Sequence, residues 1–480
     1  MTGFHDCSNG EMPNLDTGFC PDKNLGICLK NGSFAGNPIN SGIGNKTQLE
    51  TDYTSSGVVA LAFQRTYNSS EAAITTVIGS RWRSHFDRSI TLTSNANTIA
   101  VHRQDGKGFY FVLTNGVWTP DSDITDKLTR LTDASGTPTG WKYTNSDDEI
   151  EIYDATGKLL SITNRAGLTQ TLSYDASGRL ASVADPFGRS LTFTYDTSNR
   201  IATMTDPAGK LYSYAYDANN NLTSVTYPDG KIRSYLYENT TFRNALTGIV
   251  DENGNRYATY TYDAQGRAIS SEHAGGVDKV SLVYNTDTST TVTDSLGAVR
   301  TYRFQTILGV VKNTAIEGPA CTSCGANASA ATSYDANGNV ASRTDFNGNV
   351  TTYSYDLTRN LETSRTEASG TALARTITTE WHPTFRLPTK LTEPNRITTL
   401  VYDISGNLTQ KTVTAGTLTR TWNYTYNANG QMTLSDGPRT DATDTTTYIY
   451  NSSGNLTSTL NALNQITQIT AYDPHGRPLT

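Results

Sequence analysis

The stretch Tyr153-Asp-Ala-Thr-Gly157, followed by Asn164-Arg-Ala-Gly167 and Tyr174-Asp-Ala-Ser-Gly178, sets the pattern of the chain. Between Tyr153 and Glu238, four-residue turn candidates of this kind begin alternately 10 and 11 residues apart. Every second candidate follows a tyrosine, and these tyrosines recur every 21 residues: Tyr153, Tyr174, Tyr195, Tyr216 and Tyr237. A fixed period of this length is typical of a repeat architecture.

The chemistry of the turn candidates explains why the chain reverses there. Asp or Asn at the first position accepts backbone N–H groups further along the turn, and Gly later in the turn adopts a positive φ at no steric cost. The turn residues selected on this basis are Asp154, Gly157, Asp175, Gly178, Asp185, Gly188, Asp206, Gly209, Asp335 and Gly338. We predict a structural role for them.

The segments between the turns alternate apolar and polar residues. In Arg189-Ser-Leu-Thr-Phe-Thr-Tyr195, the apolar residues share one parity and the hydroxyl residues share the other. Period two predicts β-strands with two unlike faces, and turns this short make neighbouring strands antiparallel. The sequence therefore predicts an all-β fold in which antiparallel strand–turn–strand repeats wind into a spiral β-sheet, preceded by a smaller β-rich domain.

The chain divides into five predicted regions. They are a loop-rich, cysteine-containing tail at 1–36, an N-terminal β domain at 37–150, repeats at 151–308, a CxxC-containing insertion at 309–333, and further repeats at 334–480. The period is also interrupted at 364–398, where we expect loops or edges that project from the sheet. We expect the N-terminal domain to cover the first strand edge of the repeat sheet.

Composition limits the functional classes. The 480 residues carry 38 Lys and Arg against 45 Asp and Glu, a formal charge of −7, so there is no basic excess for a nucleic acid. The sequence contains no run of 18 apolar residues, so no transmembrane segment is predicted. The first residues, Met1-Thr-Gly-Phe-His-Asp-Cys7, show no signal peptide pattern. We expect a secreted or cell-surface protein that leaves by another route or lacks its true start; retention inside the cell is the alternative.

Cys321-Thr-Ser-Cys324 is open to three interpretations. A redox site needs the first cysteine at a helix N-terminus, and no helix is predicted there. A zinc site needs two more ligands, for which His382 is only a distant candidate. A structural disulfide between Cys321 and Cys324, or two thiols in a reducing compartment, is the favoured interpretation.

Other side chains that suggest chemistry also have structural explanations. The repeated aspartates suggest carboxylate-pair catalysis, but their position at the start of each turn favours capping. The six histidines are scattered without a metal-binding spacing, and His85 is interpreted as a packed residue. The tyrosines suit cross-strand packing, with sugar stacking as the alternative. We therefore predict no catalytic, metal or cofactor-binding residue.

Two sets of motifs resemble a known family. Asn37-Pro-Ile-Asn40, Phe63-Gln-Arg-Thr-Tyr-Asn68 and Trp82-Arg-Ser-His-Phe-Asp87 resemble the domain that precedes many bacterial Rhs repeat regions. Units such as Tyr262-Asp-Ala-Gln-Gly-Arg267 and Tyr402-Asp-Ile-Ser-Gly-Asn-Leu408 resemble the YD repeat of Rhs proteins, teneurins and the cocoon-forming components of Tc toxins. The resemblance covers about residues 37–480 and implies a hollow shell of spiralling β-sheet that encloses a C-terminal effector in toxin members.

The resemblance is incomplete at the end of the chain. Toxin shells are similar to each other in ending with paired Asp-Pro-x-Gly elements before a variable toxin, whereas Asp473-Pro-His-Gly476 is interpreted as an ordinary turn. Thr480 follows within the same repeat, so we expect a truncation or a second polypeptide that completes the shell.

Two functional hypotheses follow from the sequence and the resemblance. The first is a non-enzymatic shell segment that houses or presents a secreted effector in competition between bacteria or in cell contact; its partner is a C-terminal toxin or a second polypeptide. The alternative is a surface adhesin that binds a cell-surface glycan through the tyrosine faces, or through the segments 309–333 and 364–398 that contain Trp381.

Overall fold

The computed structural model describes residues 22–26, 33–71, 75–93, 95–318 and 329–480. A five-stranded N-terminal sheet precedes the repeats, and a two-stranded hairpin lies beside it. Their strands are β1 Phe34–Ala35, β2 Ile39–Asn40, β3 Asn45–Thr54, β4 Ala62–Asn68, β5 Thr75–Thr76, β6 Gly79–Ser80 and β7 Trp82–Ser84. The order in the N-terminal sheet is β1-β2-β3-β4-β7, and β5 pairs with β6 in the hairpin.

The remaining described strands form one long sheet of 35 strands, in which each strand pairs antiparallel with its neighbours in sequence. Its first part consists of β8 Ser89–Leu92, β9 Thr98–His102, β10 Gly108–Thr114, β11 Val117–Pro120, β12 Lys127–Thr132, β13 Pro138–Thr144, β14 Ile150–Asp154, β15 Leu159–Thr163, β16 Thr169–Tyr174, β17 Leu180–Ala184, β18 Ser190–Tyr195, β19 Ile201–Thr205, β20 Leu211–Tyr216, β21 Leu222–Thr226, β22 Ile232–Leu236, β23 Gly248–Val250, β24 Arg256–Tyr262, β25 Ala268–His273, β26 Val280–Tyr284, β27 Thr290–Thr293, β28 Val299–Ile307 and β29 Val310–Glu317. A single 3-10 turn, Ala274–Gly276, follows β25.

The second part of the same sheet lies after the undescribed residues 319–328. It consists of β30 Ser329–Tyr334, β31 Val340–Thr344, β32 Val350–Asp356, β33 Leu361–Glu367, β34 Arg375–Trp381, β35 Pro388–Glu393, β36 Arg396–Tyr402, β37 Leu408–Ala415, β38 Leu418–Tyr426, β39 Met432–Asp436, β40 Thr445–Tyr450, β41 Leu456–Leu460 and β42 Ile466–Gln468. The prediction of an all-β fold built from antiparallel repeats is confirmed.

The sheet winds back on itself, so that turns far apart in sequence meet. The Asn360 side chain donates to the carbonyl of Ser122, and the Arg386 backbone N–H donates to Asp148, in each case 238 residues apart. Arg189 reaches the carbonyl of His475, which lies 286 residues later. We therefore call residues 89–317 the first coil and residues 329–480 the second coil.

The two coils approach each other closely at these turns. Gly454 has a φ of +73°, and a Cβ placed on it would lie 2.8 Å from the ring of Phe187 in the first coil. Only glycine fits there, because the backbone conformation disfavours any other residue and the ring occupies the space. The first edge of the sheet is also engaged, because the N–H of Ile90 in β8 donates to the Gly157 carbonyl.

Each strand has two unlike faces, as the alternation predicts. One face carries cross-strand pairs of hydroxyl side chains, such as Thr194 with Thr203 and Ser333 with Ser342, at 2.6 and 2.7 Å. This exposed face is the outer face. The opposite face, which carries Leu172, is the inner face. In the first coil it packs against the N-terminal sheet.

Three predicted boundaries differ from the structure. Strands β13 and β14 pair across residue 150, so the long sheet begins within the segment assigned to the N-terminal domain. Residues 310–317 pair with β28 and belong to the sheet, so the insertion expected from 309 begins later. Residues 364–398 are not projecting loops, because β33 to β36 pair there in register. Their apolar alternation is sufficient for strands even where the usual turn tetrapeptides are missing.

Of the tail predicted at 1–36, residues 1–21 and 27–32 lie outside the described residues, as do Cys321 and Cys324. The described part of the tail is held by contacts with the sheet: Lys23 forms ion pairs with Asp121 and Asp123, and Asn24 accepts the N–H of Val311. In the part of the chain that the structure describes, no helix is long and apolar enough to cross a bilayer.

Candidate functional site: the inner face of the sheet

The turn that follows most repeat tyrosines is closed by the Asp or Asn that comes directly after the tyrosine. Asp175 Oδ1 accepts the backbone N–H groups of Ser177 and Arg179, and Oδ2 accepts the Arg179 guanidinium at 2.8 Å. These hydrogen bonds, the Arg179 side chain first, lower the pKa of Asp175. Gly178 completes the turn with a φ of +76°.

The other selected turns have the same geometry. Asp154, Asp185, Asp206 and Asp335 each accept the N–H groups two and four residues later. Their glycines, Gly157, Gly188, Gly209 and Gly338, all have positive φ. The carboxylates are therefore engaged by backbone donors, as capping requires and as a catalytic pair does not.

The repeat tyrosine connects successive turns on one edge of the sheet. The Tyr195 hydroxyl donates to the carbonyl of Leu180 at 2.8 Å, and the guanidinium of Arg179 lies 4.6 Å above its ring. Tyr216 repeats this contact with Ile201 and Arg200. Because alternate turns share an edge, a period of 21 residues brings each tyrosine beside the start of the strand that follows the preceding turn.

Tyr174 makes the same contact, with the Leu159 carbonyl, but the first and last tyrosines of the series do not. The Tyr153 hydroxyl donates to Glu151, and the Tyr237 hydroxyl accepts the indole N–H of Trp82 at 2.9 Å. Neither the hydroxyl contact nor the arginine above the ring was predicted from the sequence. The available signal was the basic residue after Gly in units such as Tyr174-Asp-Ala-Ser-Gly-Arg179.

The inner face of the first coil is covered by aromatic side chains of the N-terminal sheet. Phe63 packs 5.3 Å from Phe193, and Trp82 packs 5.1 Å from Tyr235, measured between ring centroids. Beside them the Arg65 guanidinium, which is fully buried, forms a 2.7 Å ion pair with Asp52 and donates to the Tyr235 hydroxyl. This face is a core and not a binding surface.

A second buried ionic cluster centres on Glu151. Arg88 and Arg103 both pair with this carboxylate, which is completely buried. Burial alone would raise the pKa of Glu151, but the hydrogen bond and charge of Arg103, with Arg88, lower it to about 2. A carboxylate that stays ionised and fully paired serves to fix strands, and not to transfer protons.

His85 lies in the same cluster. Burial, followed by the charge of Arg88, lowers the pKa of His85 to about 3, and the Arg88 guanidinium lies 3.0 Å from its Nε2. A neutral imidazole accepts this contact, whereas a protonated one has no acceptor. His85 is therefore a packed residue, and the described residues contain no group of three or more His, Cys, Asp or Glu that could hold a metal ion.

The inner face of the second coil differs at equivalent positions. The residue two before the repeat tyrosine is buried throughout the first coil: Leu172, Phe193, Tyr214, Tyr235, Tyr260 and Leu282. The same position is only half-buried in the second coil: Thr332, Tyr353, Leu400, Tyr424 and Tyr448. The difference follows the N-terminal sheet: its aromatic residues pack against the inner face of the first coil, whereas Tyr53 and Ser56 contact the second coil at the His475 turn.

Ion pairs and aromatic rings line this uncovered inner face. Arg365 pairs with Glu362 at 3.1 Å and with Glu367 at 3.3 Å. Trp381, which the glycan-binding alternative invoked, is half-buried and donates its indole N–H to the Glu362 carbonyl at 2.7 Å. The site that the geometry offers is thus an extended wall of mixed polarity, and not a pocket around a reacting group.

Three protein families match separate parts of the chain. Residues 36–111 match a domain of unknown function, DUF6531, residues 117–294 match the teneurin YD-shell, and residues 334–372 match the RHS repeat. No curated protein matches the chain at a significant level.

Solved structures of Tc toxin components are similar over most of the chain. TcdB2–TccC3 without its hypervariable C-terminal region is 12% identical over 94% of this chain, with a TM-score of 0.45. The Photorhabdus luminescens Tc holotoxin pore with a mutated TccC3 is 12% identical over 77%, with a TM-score of 0.29. The chain spans 28% and 27% of the lengths of these two chains. These family matches confirm the resemblance to the Rhs and YD-repeat family, with the DUF6531 match lying before the teneurin YD-shell and RHS-repeat matches.

Proposed function

We propose that this chain is a wall segment of a hollow shell that encloses a polypeptide effector for delivery to another cell. The observation that carries the proposal is the uncovered inner face of the second coil, where positions that are buried in the first coil stay half-buried. A wall of this kind surrounds its contents without reacting with them, so the proposed role is not enzymatic.

The construction of the sheet supports a role as a container. Backbone ladders run without interruption from β8 to β29 and from β30 to β42, and turns of the two coils contact each other along the winding axis. Such a wall resists the entry of water and proteases, because few backbone groups are left unpaired between neighbouring strands. The N-terminal sheet fills the first coil and would close that end of the shell.

The relatives suggest how the shell is used. The two solved structures compared above are Tc toxin components, one of them part of a holotoxin pore. By analogy, we propose that this chain acts outside the cytoplasm and that its partner is an effector on the same polypeptide or a second polypeptide that extends the wall.

Site-specific photo-crosslinking tests the proposal. A disordered polypeptide with an epitope tag is fused after Thr480, and a photoreactive phenylalanine replaces Thr398 or Thr399 in turn. These neighbours lie on β36 but face opposite sides, since Thr398 shares the parity of Tyr402 and Thr399 is exposed on the outer face. We expect crosslinks to the fused polypeptide from position 398 and few from position 399.

Position 399 is the control, because it lies on the same strand and its variant is made with the same reagent and at the same expression level. Similar yields from both positions, or no crosslink from position 398, overturn the proposal. Dilution before irradiation distinguishes crosslinks within one molecule from those between molecules.

A further inference from the structure

The uncovered inner face carries a basic and aromatic patch on β36 to β38. Lys411 pairs across the strands with Trp422, and Val413 pairs with Arg420. The hydroxyls of Thr412 and Thr421 meet on the opposite, outer face, which places Lys411, Arg420 and Trp422 on the inner one. We call Leu400, Lys411, Arg420, Trp422 and Tyr424 the inner patch.

Positive charges outnumber negative charges on the inner face of the second coil. The basic residues on the inner-face strands of the second coil are Arg343, Arg365, Arg375, Arg396, Lys411 and Arg420, and the carboxylates that lie with them are Glu362, Glu367 and Glu393. The inner face therefore has an excess of three positive charges, although the chain as a whole carries −7.

Lys411 and Arg420, the two cations of the inner patch, can form ion pairs with a binding partner. Arg365, Arg375 and Arg396 each form an ion pair with a glutamate. Lys411 and Arg420 have no carboxylate within ion-pair distance among the residues that the structure describes, and the Lys411 ammonium lies 5.3 Å from the Trp422 ring centroid. Positive charge beside aromatic rings suits a chain that carries both carboxylates and apolar side chains.

We propose that the inner patch binds acidic segments of the enclosed polypeptide, with carboxylates at Lys411 and Arg420 and apolar side chains against Trp422, Tyr424 and Leu400. The inference rests on the proposed function and adds to it the chemistry of the contents. A polypeptide is favoured over a nucleic acid, because a nucleic acid needs a row of cations along its phosphate backbone and the inner patch offers only Lys411 and Arg420.

Fluorescence anisotropy with two synthetic disordered peptides tests the charge preference. The peptides have equal length and the same phenylalanine content, and one carries glutamates where the other carries lysines. We expect the acidic peptide to bind the purified chain more tightly, and its affinity to fall as salt rises, because about 0.1 M salt already screens charges beyond roughly 10 Å.

Charge-removing variants locate the binding. Lys411→Gln with Arg420→Gln should weaken the acidic peptide roughly 2- to 30-fold, as expected for two exposed ion pairs. Lys390→Gln is the matched control, since Lys390 lies on the outer face in an exposed pair with Glu380, and it should leave the affinity unchanged. All three residues lie on strands and are replaced without loss of a buried group, so circular dichroism should be the same for the variants.

Each alternative result decides between the two proposals. Equal binding of both peptides, or an equal loss in the Lys390 variant, overturns the acidic preference, while inner-face crosslinks from position 398 would still support the shell. Displacement of the acidic peptide by a single-stranded oligonucleotide at lower concentration would show a nucleic-acid site instead. Absence of those crosslinks for a fused acidic polypeptide removes the shell proposal itself.

Discussion

The two coils are made of the same repeats but are used differently. In the first coil, the inner face is a core, because the N-terminal sheet places Phe63, Trp82 and Arg65 against it. In the second coil, equivalent positions such as Leu400 and Tyr424 are only half-buried. The comparison shows that the repeat itself stabilises the sheet, whereas the cover determines whether its inner face is a core or a surface.

The strongest test of this contrast removes one buried charge. Arg65→Ala leaves Asp52 without its cation in the covered core, which should lower the free energy of unfolding by about 3–5 kcal/mol. The matched change in the second coil is Arg365→Ala, whose side chain is 37% exposed and which should cost at most about 1 kcal/mol. Urea denaturation followed by tryptophan fluorescence measures both; similar losses would mean that the two inner faces are not different environments.

A pair of leucines gives the same comparison without charge. Leu172 and Leu400 each lie two residues before a repeat tyrosine, but Leu172 is buried and Leu400 is not. Leu172→Ala should cost about 2–5 kcal/mol, because it leaves a cavity against the N-terminal sheet. Leu400→Ala should cost less than about 1 kcal/mol. A large loss for Leu400 would indicate that something covers the second coil.

The stability of the covered first coil should also decrease in mild acid. Since burial and Arg88 lower the pKa of His85 to about 3, the unfolded chain binds a proton near pH 6.5 that the folded chain does not. Stability is therefore fully present above pH 6.5 and is lost as the pH falls toward 3, by about 2 kcal/mol at pH 5 for this group. The variant His85→Gln should show a flatter dependence in urea denaturation at pH 7 and pH 5; an unchanged slope would contradict the assignment.

The smallest expected loss of stability, caused by removal of one tyrosine hydroxyl, should be equal in the two coils. Tyr195→Phe and Tyr402→Phe each remove a 2.8 Å hydrogen bond from the tyrosine hydroxyl to a carbonyl of the neighbouring hairpin. Each should cost about 0.5–1.5 kcal/mol, because the contact is local to the edge and independent of the cover. A loss confined to Tyr195, measured by the same denaturation, would tie the tyrosine contact to the N-terminal sheet.

The sequence was sufficient to predict the strands and turns of the regular region. Period-two alternation and the Asp and Gly positions are local, and the geometry around Asp175 and Gly178 is set within five residues. The segment 364–398 was misjudged for the same reason: its turns, at Ala368 and His382, lack the tetrapeptide, although Ile377 and Leu391 keep the alternation.

The cover of the first coil could not be predicted. Arg65 and the Tyr235 hydroxyl are 170 residues apart, and no period connects them. The difference in burial between the two inner faces could not be predicted either, because Leu172 and Leu400 occupy the same place in the same motif. Whether a strand face becomes core or surface depends on a domain elsewhere in the chain, and the local alternation of apolar and polar residues carries no information about that domain.

The contact between Phe187 and Gly454 restricts how such a chain can change in length. Removing or duplicating one whole repeat between these residues would shift the second coil against the first, so that the turn of a neighbouring repeat would face the ring. Because those turns also carry a glycine, such as Gly430 or Gly476, a change in length by a whole repeat keeps a glycine at the ring, whereas other changes in length do not. The circumference of the winding should therefore change only in steps of one repeat.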